Sequence, residues 1–262
     1  MNRNSLKIIL FSMFLLSLSA AAQKKDTVYI SSKSINTNVL KEGTNRYLVY
    51  FKMSKNSTRT QTQFWTRKIE RSLQNNKQVI AITQEWEDKD SIIHTVNSVC
   101  EAATMKPLTH EFWWKKRAKA KIDFEHKTVE YNGSQLTAAD TAKQRRAVWA
   151  AFETTKDNYF LNWHLDLEVF PTLPYKSGTT FIIPFYDPGT SAPFEKAAYT
   201  VTGSEVLIGY DDQKIDCWLL SHESQGNKEL YWISKKTKEV LKLEQEVSGR
   251  FYRYKVKLGF SI

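Results

Sequence analysis

The stretch FYRYKVKLGFSI (residues 251–262) alternates between two kinds of side chain. One side of the alternation carries Tyr252, Tyr254, Val256, Leu258, Phe260 and Ile262, and the other carries Phe251, Arg253, Lys255, Lys257, Gly259 and Ser261. A period of two is typical of a half-buried β-strand, and also of the closing strand of an outer-membrane barrel, which presents apolar residues to lipid. The stretch therefore predicts a strand, and the rest of the chain has to decide its environment.

Similar strand-like segments recur from residue 45 onward, separated by turn sequences. Examples are RYLVYFKM (46–53), KQVIAITQEWE (77–87), AKAKIDFE (118–125) and GTTFIIPFYD (178–187). The dipeptide Asn132-Gly133 is a strong hairpin-turn signal. Strands that arrive every ~8–12 residues with turns between them indicate an all-β sheet, sandwich or barrel.

Two segments interrupt this pattern. Residues 136–157 are polar and alanine-rich, which predicts a partly helical insertion. Residues 158–171 alternate as a strand but also show the i, i+3, i+4 spacing of a helix. Because Asp157 could cap a helix and Pro171 could end one, we favour a helix there.

Charge placement argues against a transmembrane barrel. Every strand of such a barrel must present an uncharged face over ~10 residues. The segments TRKIERSLQ (66–74) and KKTKEVLKLEQEV (235–247) carry charges on both faces. The prediction is therefore a β protein that does not cross the membrane with its strands.

The first 22 residues have the composition of a cleaved signal peptide. Arg3 and Lys7 precede an apolar run over residues 8–18, and Ala20 and Ala22 supply the small residues of a cleavage site. The apolar run is short for a span of ~20 residues, which argues against a permanent anchor. We expect an exported protein with one β domain over 23–262 and no transmembrane segment after cleavage.

Loss of residues 1–22 removes two positive charges, so the formal net charge of +10 falls to +8. This basic excess suggests an anionic neighbour, and export makes a lipid headgroup or an acidic glycan a better candidate than nucleic acid. The only cysteines, Cys100 and Cys217, could form a disulfide in an oxidising space or remain two buried thiols. The sequence leaves both alternatives open.

The sharpest polar group is His164, Asp166 and Glu168 in WHLDLE (163–168). In a strand all three would share a face suited to a metal or to acid–base chemistry, whereas a solvated polar face is the simpler explanation. The other histidines are scattered along the sequence: His94, His110, His126 and His222. Nucleophile-elbow, P-loop and dinucleotide motifs are missing from the sequence. We therefore predict no enzyme, no metal site and no cofactor.

Aromatic residues occupy both faces of several predicted strands. The adjacent pair Trp113-Trp114 places one indole on each face, and Tyr231-Trp232 does the same. Antiparallel sheets with one wet face alternate cleanly, so aromatic residues on two faces indicate a strongly curved sheet with a filled or ligand-holding concavity. The candidate ligand-lining residues are Trp113, Trp114, Phe160, Trp163 and Trp232.

Three stretches carry a family resemblance: residues 104–133, 173–187 and 199–258. Their shared features are Lys-Pro at 106–107, Gly-x-Glu at 203–205, Cys-Trp at 217–218, and YWIS (231–234) leading to Lys-x-Glu. With these features the chain resembles a family of uncharacterised exported proteins of Gram-negative envelopes, a domain of unknown function.

The resemblance implies an unclosed antiparallel β-barrel, similar to the periplasmic lipoprotein carriers, with one or two helical insertions near its concave side. It brings no catalytic residues. By analogy it implies non-catalytic binding of a hydrophobic or amphipathic, lipid-like envelope molecule, with an aromatic concavity and a basic exterior. The expected location is the periplasm, with a peripheral position at the outer membrane as a variant. The alternatives are an envelope scaffold that binds a protein partner, or a glycan or lipid hydrolase.

Overall fold

The computed structural model describes residues 26–209 and 212–259. The strands are β1 Thr27–Tyr29, β2 Gly43–Lys52, β3 Arg59–Gln74, β4 Lys77–Asp88, β5 Ser91–Glu101, β6 Pro107–Trp114, β7 Lys119–Asp123, β8 Thr128–Tyr131, β9 Ser134–Gln135, β10 Leu161–Asn162, β11 Thr180–Tyr186, β12 Glu195–Ile208, β13 Lys214–Ser224, β14 Asn227–Ser234, β15 Val240–Val247 and β16 Phe251–Leu258. The α-helices are α1 Lys143–Thr155 and α2 Asp166–Val169, and 3-10 turns cover Thr37–Val39, Trp163–Leu165 and Phe170–Thr172.

All of these strands join one sheet, in the order β1-β11-β12-β13-β14-β15-β16-β2-β3-β4-β5-β6-β7-β8-β9, with β10 beside β11. Strand β16 pairs with both β15 and β2, so it joins the C-terminal half of the chain to the N-terminal half. The order ends at β1 and β9, which do not pair, so the sheet is not closed into a barrel. Only β1 and β10, both beside β11, run parallel to their described neighbour. The predicted fold class, a curved and mainly antiparallel open sheet, is confirmed.

The turns follow the sequence signals. Asn132 and Gly133 have φ values of 52° and 88°, the left-handed conformation that a two-residue hairpin turn requires. Asn75 and Asn76, at 48° and 61°, turn β3 into β4 in the same way. Asparagine tolerates this conformation better than most other residues with a side chain. The residues at the turns therefore determine these hairpins locally.

The insertion over 161–173 explains the curvature of the sheet. Buried residues of this insertion, such as Leu165 and Phe170, belong to one core cluster with residues from distant strands. Those strands include β2 and β3 from one half of the sheet, and β11 to β15 from the other. Because both halves pack against the same short insertion, the sheet bends around it and burial of apolar surface stabilises the bend.

The predicted insertions are both helical. Helix α1 falls within the predicted 136–157 segment and packs Val148 and Phe152 into a second core cluster beside β6 to β8. In the 158–171 segment, the two residues of β10 (161–162) are followed by 3-10, α and 3-10 turns that span 163–172. Here helical spacing prevailed over alternation, and the proline at 171 lies in the last turn.

The lysines of the closing strand β16 lie inside the sheet and do not form a basic exterior. Lys255 and Lys257 are each 4% exposed. Lys255 donates to Asp166 of the insertion, and Lys257 donates to Glu239. Tyr254 is on the other face, where its ring stacks on Tyr50 at 4.8 Å. The predicted basic exterior is therefore wrong for this strand, because carboxylates inside the sheet pair with its lysines.

The two cysteines are free thiols. Cys100 lies in the main core cluster, whereas Cys217 lies in a small cluster that also contains Trp232 and Leu241. The structure therefore has no disulfide between them, and both are buried for packing. The predicted signal peptide (1–22) and the last three residues of the closing stretch lie outside the described residues. In the part of the chain that is described, no helix combines the length and apolar character needed to cross a bilayer.

Candidate ligand-binding cavity

A buried ion-pair network forms the interior beneath the candidate site. Arg67 of β3 is 1% exposed and donates from Nε and Nη2 to the two carboxylate oxygens of Glu168, at 2.9 and 2.5 Å. It also donates to the backbone carbonyl of His164 at 2.8 Å. This two-pronged geometry is the strong form of an arginine–carboxylate pair and anchors α2 to β3.

A second pair joins α2 to the closing strand. Lys255 donates to Asp166 at 2.8 Å, and Arg67 lies 3.6 Å from the same carboxylate. Burial lowers the pKa of Lys255 to about 8, although Asp166 opposes that shift. Burial alone would raise the pKa of Asp166, but Lys255 and Arg67 outweigh it and hold the pKa below its ordinary value.

Above this network, an aromatic ladder crosses four neighbouring strands. Its members are Trp65 of β3, Trp86 of β4, His94 of β5 and Trp114 of β6, each directly opposite the next. Trp65 stacks on Trp86 with ring centroids 3.6 Å apart, and His94 stacks on Trp114 at 3.8 Å. Trp86 meets Trp114 edge-on at 5.1 Å. Cross-strand aromatic pairs of this kind stabilise a sheet and give it a rigid apolar surface.

A cavity of about 630 Å³ lies against this ladder. It is lined by Phe51, Gln61, Gln63, Trp65, Trp86, Asp88, Ile93, Trp114, Lys115, Lys116, Arg117, Phe251 and Arg253. These residues come from the end of the sheet where β2, β4 and β6 finish and β3, β5 and β16 start. Gln61, Lys115 and Lys116 are exposed, so solvent reaches the cavity. Its volume is within the range of about 300–1,000 Å³ that small-molecule sites occupy.

Two arginine side chains lie close to the tryptophan rings of this cavity. The Arg253 guanidinium carbon lies 5.9 Å from the Trp65 ring centroid, and that of Arg117 lies 5.3 Å from Trp114. A cation within about 6 Å of an indole face is attracted by the ring electrons. The cavity thus combines an apolar wall with positive charge held beside it.

Another cavity, of about 170 Å³, opens at residues 39–45 and is also lined by Tyr47, Glu239 and Lys257. Its buried lysine, Lys257, already donates to Glu239, and Tyr47 donates to the Val240 carbonyl at 3.2 Å. It is much smaller than the Trp65–Trp114 cavity, and the charge of its buried lysine is already neutralised by Glu239. The larger cavity is therefore the better ligand site.

The five predicted lining residues are not brought together. Trp114 lines the cavity, whereas Trp113 points to the opposite face and is 39% exposed. Phe160 is buried in the cluster beneath α1. Trp163 packs edge-on against Phe185, away from the cavity, and Trp232 is buried in the small Cys217 cluster. Of the five, Trp114 is the one that lines this cavity.

The ladder residues Trp65, Trp86 and His94 were missed. A usable signal was present, since the two-residue turn at 75–76 pairs Gln74 with Lys77, and counting outward places Trp65 opposite Trp86. The step from Trp86 to His94 could not be counted, because a register shift lies between Trp86 and Glu87.

His94, His110 and His164 are far apart in the sequence but lie close together in the structure. The rings of His94 and His110 lie 5.6 and 5.0 Å from that of His164. His110 is bonded through Nδ1 to Ser98 and Asn162, and His164 Nε2 lies 3.0 Å from Asp187. Burial, aided by His164, lowers the pKa of His94 to about 3, so its ring is neutral. Within the described ranges, no group of three His, Cys, Asp or Glu side chains is arranged to hold a metal ion.

The predicted trio His164, Asp166 and Glu168 does not share one environment. Asp166 and Glu168 are buried in the ion-pair network, and His164 faces Asp187 instead. The alternative prediction, a solvated polar face, is therefore wrong because Asp166 and Glu168 are buried. The carboxylates have a structural role, tying the insertion to β3 and β16.

Fold and cavity together define an open, barrel-like β protein with an aromatic and basic pocket at one end of its sheet. The chain belongs to a family described as a protein of unknown function, DUF3108, whose family model matches residues 46–257. The expectation of a family of unknown function is thus confirmed.

A solved structure that this chain is similar to is a β-barrel-like protein of a domain of unknown function, DUF1849, from Brucella abortus. The match has 8% identity and a TM-score of 0.40, and it covers 82% of this chain and 95% of that one. No curated protein matches the sequence.

Proposed function

We propose that this protein is exported and binds a hydrophobic or amphipathic, lipid-like envelope molecule without chemically changing it. The observation that carries the proposal is the cavity of about 630 Å³ beside the aromatic ladder. Ligand sites are concave and place convergent polar groups beside an apolar wall. Here six apolar residues, three of them tryptophans, line the cavity together with seven polar or charged ones. Gln61 and Gln63 add polar groups beside the three indole rings.

The ligand would be held at the end of the sheet and not along its axis. The insertion over 161–173 occupies the concave side, and the Arg67–Glu168 pair lies next to Trp65 along β3. An apolar chain would therefore lie against the ladder with the remainder of the molecule in solvent. This differs from a carrier that encloses its whole cargo, and it favours recognition of one end of an amphipathic molecule.

The hydrolase alternative has less support. A general acid needs a raised carboxyl pKa, whereas that of Asp166 is held low by Lys255 and Arg67. Glu168 of the network and Asp88 of the cavity are bonded to Arg67 and Gln61. A binding role requires no acid–base chemistry from these residues.

Export rests on the N-terminal composition alone. A positive start, a short apolar run and small residues at 20 and 22 favour cleavage before Gln23 and delivery to the periplasm. The intact mass of protein recovered from a periplasmic extract tests this directly, because the mature chain would begin at Gln23.

Titration with dodecanoate by calorimetry tests the binding. Wild-type protein should bind it, and Trp114→Ala should weaken the affinity about tenfold or more, since one wall of the cavity is lost. Trp113→Ala is the matched control, because it removes the adjacent indole from the opposite, exposed face and should leave the affinity unchanged. Equal effects of the two variants, or no binding by the wild type, would refute a lipid-like ligand in this cavity and leave the scaffold alternative.

A further inference from the structure

Three basic residues of β16 point into the sheet, and two of them have a carboxylate partner. Lys255 donates to Asp166 at 2.8 Å, and Lys257 donates to Glu239. The third, Arg253, is the one that lines the cavity, and within residues 26–209 and 212–259 it forms no ion pair. The inward face of the strand is therefore neutralised at two positions and left positive at the cavity.

The cavity as a whole has excess positive charge. Its positive residues are Lys115, Lys116, Arg117 and Arg253, and its acidic residue is Asp88, so these groups sum to +3. Asp88 accepts a hydrogen bond from Gln61 at 2.8 Å, and none of the four cations has a carboxylate partner in the described part of the chain. Positive charge in a concave site raises the local concentration of anions.

Arg253 also has an unused hydrogen-bond donor. Its Nε is buried and finds no acceptor among the described residues, while its guanidinium remains close to the Trp65 ring. A buried donor without a partner is costly, and an arginine fork matches the geometry of a carboxylate or phosphate. An anionic group in the cavity would therefore satisfy both the charge and the donor.

We propose that the ligand is an anionic amphiphile, and that Arg253 binds its carboxylate or phosphate group while the apolar part lies against Trp86 and Trp114. This inference rests on the proposed function and adds the class of ligand and the residue that selects it. A charge-assisted hydrogen bond of this kind corresponds to a preference of about 10- to 100-fold over a neutral molecule of the same length.

Four probes of defined chemistry test the selectivity: dodecanoate, dodecyl phosphate, dodecanol and inorganic phosphate, each titrated into the full mature chain below its aggregation concentration. The two anionic amphiphiles should bind at least tenfold more tightly than dodecanol, and inorganic phosphate should bind more weakly than dodecyl phosphate. Equal affinity for dodecanoate and dodecanol would overturn the anion preference but leave the proposed function intact. Failure of all three amphiphiles would refute the proposed function itself. Inorganic phosphate binding as tightly as dodecyl phosphate would show a free-anion site and overturn the proposal.

Variants then test the residue. Arg253→Gln should lose at least tenfold in dodecanoate affinity and retain its dodecanol affinity, whereas Arg253→Lys should stay within a few-fold of wild type for dodecanoate. Arg46→Gln is the matched control, since Arg46 pairs with Glu87 on the outer face of β2, and it should change neither affinity. If Arg253→Gln binds dodecanoate as wild type does, or loses both ligands equally while still folded, Arg253 is not the anion-binding residue.

Discussion

Removal of the Arg67 side chain should be among the most damaging single changes in this protein. Arg67→Met keeps an unbranched side chain but takes away both hydrogen bonds to Glu168, which is 3% exposed. The His164 carbonyl still accepts from Gln84 at 2.7 Å, and Asp166 keeps Lys255, so the unpaired group is essentially Glu168 alone. Breaking a buried pair in this way costs about 3–5 kcal/mol.

The double variant Arg67→Met/Glu168→Leu separates the two contributions. Replacing both charges by apolar groups of similar size is often neutral or stabilising, so the double variant should lie within about 1 kcal/mol of wild type. Lys68→Met is the control, since Lys68 is the next residue on β3 and pairs with Glu70 on the exposed face. It should cost about 0–1 kcal/mol, as surface pairs do.

Urea unfolding followed by tryptophan fluorescence measures these differences. The Arg67→Met midpoint should fall by roughly 1–2 M, given the usual dependence of stability on urea. A single variant as stable as Lys68→Met would show that Glu168 finds another partner or solvent. A double variant as unstable as the single one would show that lost packing, and not an unpaired carboxylate, causes the damage.

Two further predictions concern the second core cluster and its surroundings. Burial holds the pKa of His94 at about 3 and that of His110 well below its ordinary value, so below pH 6.5 the unfolded chain binds more protons than the folded one and stability falls as the pH is lowered. His94 alone should remove about 2 kcal/mol between pH 7 and 5, and urea midpoints that do not change over this range would contradict it. Gly189 has φ +80°, and a Cβ there would lie 2.5 Å from Phe112, so Gly189→Ala should cost roughly 2–4 kcal/mol in unfolding experiments. Gly203→Ala, in open space, is its control and should stay within about 1 kcal/mol of wild type; equal losses would refute the steric argument.

The strands and hairpins could be predicted because their determinants are local. Alternation marks β2, β4 and β16, and Asn132-Gly133 and Asn75-Asn76 adopt the left-handed turns that their side chains tolerate. Helix α1 followed from the polar, alanine-rich composition of its segment. None of these features requires knowledge of the rest of the chain.

The inward face of β16 could not be predicted, because alternation defines two faces without saying which one is buried. The apolar content of the Tyr254 face favoured burial, and that residue is indeed buried, against Tyr50 on the outside. The lysines are held inward by their carboxylate partners: Asp166, which lies 89 positions from Lys255 in the sequence, and Glu239 for Lys257. A buried ion pair between distant residues leaves no periodic signal, and each partner alone resembles a surface charge.

The candidate cavity combines both kinds of information. Trp65 and Trp86 could have been paired by counting from a hairpin turn, which needs only the local rule. The rest of the ladder depends on a register shift in β4, and the position of Arg253 beside Trp65 depends on β16 joining the two halves of the sheet through β2. Lys255 pairs with Asp166 of the insertion and Lys257 pairs with Glu239, whereas Arg253 has no carboxylate partner among the residues that the structure describes. The unbalanced charge therefore arises at the basic inward position of β16 that lines the cavity, and this coincidence is why we assign it to a ligand and not to folding.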